Sequence, residues 1–156
     1  MNKLQDELLE TWRINNRVNL YLLNSLQELW LMDLPASKGR NIGEQFGHIH
    51  NVRLLWIKEA KPMLLKDLHK IDSAEVRTRK EIKKNLDQSA EAVVQMMTEA
   101  FSSGSIKGFK PHPVAFFGYL LAHEAHHRGQ IMITLKENNH LKDRSLGFAL
   151  WQWGSR

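Results

Sequence analysis

The segment His123-Glu124-Ala125-His126-His127-Arg128-Gly129-Gln130 places three histidines and a carboxylate in little more than one helical turn. His123 and His127 are four residues apart, a spacing that stacks two imidazoles one turn apart on the same helix face. Two neutral imidazoles so placed can grip one divalent cation. A third histidine from another helix would give three protein ligands and an open position, the arrangement that catalytic zinc sites use. His48 and His50, in a separate amphipathic segment, are both available as that third ligand.

A histidine pair at this spacing is often no more than a surface feature. Here it interrupts apolar sequence, Val114 to Ala122 before it and Ile131-Met132-Ile133 after it. Imidazoles buried in such a run must be hydrogen-bonded or coordinated. Gly129 follows directly, and because glycine inside a helix costs about 1 kcal/mol relative to alanine, close packing is expected there. The string His-Glu-x-x-His is literally present, with Glu124 in the place of a zinc protease's general base. The protease reading fails on what surrounds it. Gln130 and Ile133 stand where the metzincin extension needs Gly and His, and Glu137, the one later glutamate, lies on the same helix. No strand pattern offers an edge for a peptide.

The 156 residues suit one domain, 1–156, with one core. There is no cysteine, which excludes disulfides, thiolate metal sites and cysteine nucleophiles, so a thiol taking part in the chemistry must arrive with the substrate. The charged N-terminus lacks a leader's apolar region, and no apolar run reaches the roughly 18 residues of a membrane span. A cytoplasmic protein without membrane contact is the expectation. Net charge is +5. The densest basic run, Arg77 to Lys84, contains Glu81 and no aromatic residue for base stacking. It reads as a solvated helix face, and no nucleic-acid partner is expected.

These side chains must be positioned by helices, since the chain reads as helix throughout, punctuated by prolines at 35, 62, 111 and 113. A first helix is expected over 3–32, with Leu4, Leu8, Trp12, Leu22, Leu26 and Leu29 or Trp30 as its apolar stripe and Asn15, Asn16 and Asn19 as weak points. A second spans 42–60, with Asn41 as N-cap and Glu44 completing a capping box. Its edge residues His48, Val52 and Leu55 are placed to point into a bundle. Pro62 ends it or starts a short helix to about 68. A third helix covers 75–102, a fourth 113–138, and a last short one, 145–152, caps the bundle or packs on a partner. Long amphipathic helices must bury their stripes against one another, which predicts an all-α four-helix bundle with short additional helices.

His48 in Ile42-Gly43-Glu44-Gln45-Phe46-Gly47-His48-Ile49, followed far along by His123-Glu124-Ala125-His126-His127-Arg128-Gly129-Gln130-Ile131, resembles the DinB-like (DinB/YfiT) superfamily. The closing Leu150-Trp151-Gln152-Trp153-Gly154 is similar to that family's usual ending. The resemblance implies a four-helix bundle with a divalent metal held by His48, His123 and His127, completed by water or substrate. Characterised relatives include metal-dependent transferases and isomerases that use low-molecular-weight thiols, and homodimers are common among them.

With that resemblance, His50 lies about 200° round the helix from His48 and reads as surface, as do His69, His112 and His140. His126, at the flank of the stripe, reads as solvated. Glu124 is a candidate catalytic group but reads rather as a salt-bridge partner, and Arg128 either pairs with an acid or clamps an anionic substrate. Gln130 orients a ligand or packs between helices. The implied function is a metal-dependent enzyme, a thiol S-transferase or hydrolase acting on a small electrophile. It would use Zn, Ni or Fe and an external thiol. The alternative is a non-catalytic metal-binding or dimerisation bundle, which a fourth protein ligand such as Glu124 or His50 would favour.

Overall fold

The computed structural model describes residues 2–72 and 78–156. Among them are five α-helices and no strand: α1 (Lys3–Asn24), α2 (Ile42–Ala60), α3 (Arg79–Ser103), α4 (Pro113–Glu137) and the short α5 (Ser145–Ala149). The molecule is an all-α bundle. Capping boxes start three of the long helices, Asn2 with Gln5, Asn41 with Glu44 and Thr78 with Glu81. Each satisfies two backbone donors that a helix start leaves unpaired. Pro113 occupies the first turn of α4, where His112 Nδ1 accepts the Ala115 amide at 3.1 Å. Gly104 ends α3 in the left-handed region that glycine adopts freely. The expected start of the third helix, at 75, lies outside the described residues.

The first helix is shorter than its stripe implies. α1 stops at Asn24, and a 3-10 turn, Glu28–Met32, follows. Asn24-Ser25 are poor helix formers, and Ser25 Oγ bonds back to the Tyr21 carbonyl at 2.8 Å. The break changes which residues face inward: Leu26 and Leu31 are buried while Leu29 is 82% exposed. Leu4 and Leu55 are exposed as well, so neither belongs to the core. No atom approaches the place of a Cβ at Gly129, which is exposed. That glycine therefore does not serve close packing, and nothing in the structure explains it. α5 is shorter than expected. Leu146 and Leu150 pack against the core, whereas Phe148 and Trp151 are exposed.

Contacts across the bundle fix its topology. Trp12 Nε1 donates to the Ala90 carbonyl and Asn16 to Asp87, so α1 and α3 run antiparallel. Gln45 meets His127 while Trp56 meets Phe116, so α2 and α4 are antiparallel. His50 meets Asn85 and Arg53 meets Ser89, so α2 and α3 are parallel. Parallel neighbours need a long return. Here it runs from residue 61 to 78, pinned where Asn51 exchanges two hydrogen bonds with the Ile71 backbone. Gly47 lets Ile71 approach: a Cβ there would lie 3.3 Å from Ile71 Cγ2.

The core has two apolar halves. One contains Leu9, Trp12, Leu54, Ile57, Val93, Met97, Phe116 and Leu120. The other contains Leu22, Leu23, Ile42, Phe46, Ile49, Ile82, Leu86 and Ile131. Between them every long helix contributes polar side chains to one buried layer: Asn15, Asn16 and Asn19 from α1, Arg53 from α2, Ser89 from α3, Glu124 and Arg128 from α4. The histidines lie at the level of this layer, between α2 and α4.

Candidate metal centre

The buried layer is organised around Glu124. Its carboxylate accepts from Arg53 Nε at 2.7 Å and Nη2 at 3.0 Å, and from Asn15 and Asn19 at 2.6 and 2.7 Å. Arg53 also donates to Asn16, Ser89 and the Leu86 carbonyl, and its guanidinium lies 4.9 Å over Trp12. Arg128 donates to the side-chain oxygens of Asn15 and Asn19 at 2.9 and 2.6 Å. Burial would raise the Glu124 pKa, but the Arg53 charge and these hydrogen bonds override it and hold the carboxyl below its usual value. Glu124 is thus an ionised group with both oxygens engaged. Two of the asparagines that weaken the α1 stripe, Asn15 and Asn19, are its partners, and the third, Asn16, accepts from Arg53.

One turn away, His48, His123 and His127 meet. Each offers a ring nitrogen, and the three nitrogens lie within 4.8 Å of one another, a group able to hold one metal ion. His127 is buried, while His48 and His123 are half-buried and face the outside. His127 Nδ1 donates to Gln45 Oε1 at 2.7 Å, which leaves its Nε2 as a lone pair. That Nε2 faces His123 Nε2 at 3.1 Å. Two nitrogens each about 2.0–2.1 Å from one zinc ion would be about 2.9–3.4 Å apart, so the spacing suits a shared cation. Among the described residues, His123 Nδ1 is buried without a hydrogen-bond partner.

The electrostatics favour the ligand form. Burial, then the charges of Arg40 and His123, push the His48 pKa down to about 4. Burial and the neighbouring histidines push His127 down to about 4 as well. Burial lowers His123 against the opposing pull of Glu124. All three imidazoles are therefore neutral at neutral pH, the state in which histidine binds metal. The fit to a divalent cation is good on spacing, on protonation and on donor type.

Other residues sit differently from the sequence expectation. His50 is not on the surface. It is fully buried, with Nδ1 3.0 Å from the Asn85 carbonyl and Nε2 2.9 Å from the His69 carbonyl, tying α2 to α3 and to the 61–78 connection. His140 is half-buried, bonded to Asp33 at 2.6 Å and stacked on Trp30. His126 is exposed, as expected, and Gln130 bonds to it rather than to any of the three converging rings. Gln45 is the residue that sequence reasoning missed. Its signal was a polar side chain placed between Ile42, Phe46 and Ile49 on a stripe that ought to be apolar. Beyond His123, Tyr119 stacks at 6.2 Å and meets Trp56 at 5.7 Å, forming an aromatic wall beside the histidines.

The DinB family model matches residues 1–140, and the chain belongs to that family. The match ends before the Leu150–Gly154 segment. No curated protein matches the chain. Among the described residues, no helix is long and apolar enough to cross a membrane.

Proposed function

We propose that this DinB-family chain binds one divalent metal ion through His48, His123 and His127 and uses it as an enzyme, a thiol S-transferase or a hydrolase acting on a small electrophile. The observation that carries the reading is three neutral imidazoles converging, with no fourth side chain among the described residues grouped with them. Both oxygens of Glu124 are taken by Arg53, Asn15 and Asn19, and both nitrogens of His50 face carbonyls. A structural zinc site would be closed by four protein ligands. A cation held by three lowers the pKa of a thiol or water brought to it.

The chain's own residues do the rest. Gln45 holds the His127 ring in one tautomer and one orientation. Glu124 and Arg128 keep α1, α2 and α4 in register and reach no reacting atom; their role is structural. Tyr119 and Trp56 offer an apolar surface on which an electrophile can lie against the histidine face. With no cysteine in the chain, the thiol comes from solution.

Metal analysis of the purified protein, combined with thiol conjugation of a panel of electrophiles, tests both parts. Wild type is expected to carry stoichiometric metal. His48→Ala, His123→Ala and His127→Ala lose it, whereas His126→Ala and His140→Ala keep it. Equal metal content in all variants refutes the ligand set. Metal without conjugation of any thiol removes the transferase and leaves the binding site.

A further inference from the structure

We propose that Tyr119 is the specificity-determining residue of the histidine site, a ring face on which a flat aromatic group of the substrate stacks while its reactive end meets the cation. The inference rests on the metal-binding reading above and names the substrate class, a small electrophile that carries an aromatic ring.

The seam between α2 and α4 differs on the two sides of the histidines. Helical spacing sets His48, Val52 and Leu55 along one line of α2, and Tyr119 and His123 along one line of α4. The helices are antiparallel, so from the histidines the residues Val52, Leu55 and Tyr119 lie in the same direction. That direction is apolar. Val52 is half-buried, Leu55 is 61% exposed and Tyr119 is 38% exposed. In the opposite direction the neighbours are polar: Gln45 accepts from His127, and Gln130 is bonded to His126. The apolar part of a ligand seated on the three rings has one direction to take.

Tyr119 is the flat element on that side, and it is held in place. Its ring centroid lies 5.7 Å from that of Trp56, 5.6 Å from Phe109 and 6.1 Å from Phe116. Trp56 Nε1 donates to its hydroxyl at 3.4 Å. Phe116 is fully buried, so the cluster is anchored in the core and reaches the surface at Tyr119. The Tyr119 ring is 6.2 Å from the His123 ring and inclined to it by 30°. Tyr119 thus stands one turn from a proposed ligand, with its ring fixed before any ligand arrives. A fixed ring loses little freedom when a ligand stacks on it. Val52 and Leu55 favour apolar bulk of any shape, whereas an aromatic face distinguishes a flat ring from a saturated one.

The test uses full-length protein loaded with cobalt, titrated above the probes' pKa with 4-phenylimidazole and with 4-cyclohexylimidazole, and followed by the visible cobalt spectrum. Both probes bring the same ring nitrogen to the metal and similar bulk beside it, and one of them is flat. The phenyl-to-cyclohexyl affinity ratio is expected to fall about fivefold, or about 1 kcal/mol, from wild type to Tyr119→Leu. Tyr119→Phe should keep the wild-type ratio. A ratio equal in wild type and Tyr119→Leu, or one lost as fully in Tyr119→Phe, overturns the role of the ring face and leaves the metal site standing. Bound cobalt whose spectrum answers neither probe does the same. Failure of the wild type to bind cobalt overturns both.

Discussion

Gln45 shows how little of a site its most recognisable residues contain. The histidine string announces the proposed ligands, but the nitrogen that His127 presents is set by a glutamine on another helix, 82 positions away in sequence. Removing that hydrogen bond with Gln45→Leu should weaken metal affinity by about 10–100-fold, read by competition with a chromophoric chelator. Unchanged affinity would mean that the ring is fixed by packing alone. The same residues carry a pH signature. In metal-free protein His48 and His127 have pKa values of about 4, against 6.5 for an unperturbed histidine. Between those values the unfolded chain takes protons that the folded protein refuses. The stability they confer is complete above pH 6.5, falls as the pH drops below it, and is lost by about pH 4. Thermal melts of chelator-treated protein should follow that course, and a melting temperature flat from pH 7 to pH 4 would contradict it.

At the scale of the helix, the asparagines of α1 teach the clearest lesson. Asn15, Asn16 and Asn19 interrupt an apolar stripe and look like defects in it, yet all three are buried. They are the α1 share of a polar layer whose charges, Arg53 and Glu124, arrive from α2 and α4. Periodicity identifies which face of a helix turns inward; it does not say that the inward face is apolar at every turn. Breaking a buried, hydrogen-bonded pair by removing one partner costs about 3–5 kcal/mol, because the other charge is left uncompensated. Glu124→Ala should lose about that much stability in urea unfolding. A loss below about 1 kcal/mol, with activity abolished, would instead make Glu124 a reacting group. His50 was misread for a related reason. Its face is opposite that of His48, but that face is covered by α3 and by the connection at His69 and Ile71, which close over it where a lone helix would leave it in water.

Across the whole molecule, the histidine site joins the antiparallel pair α2 and α4, and α4 also meets α1 through Glu124 and Arg128. A cation bound there stabilises the folded state by mass action, by about 2.7 kcal/mol when free metal is one hundred times the dissociation constant. Addition of zinc should raise the melting temperature of metal-free protein and excess chelator should return it. His123→Ala should show neither effect. A zinc-induced rise that persists in His123→Ala would place the cation elsewhere. Two of the basic side chains that follow the start of α3 are paired with acids, Arg79 with Glu28 and Lys83 with Asp87.

The helical class, the bounds of α2 and α4, the Asn41–Glu44 cap and the two histidines one turn apart on α4 were readable from the chain. Each depends on residues within a few positions of one another, and local spacing records such relations directly. The parallel course of α2 and α3, the burial of His50, the polar layer and the Gln45 contact were not readable. Each joins residues far apart in sequence, and the side of a helix that meets a partner depends on how all four rods are arranged. That His48 meets His123 and His127 is a relation of the second kind. Family resemblance could name it, but the antiparallel packing of α2 on α4 is what brings the three rings together.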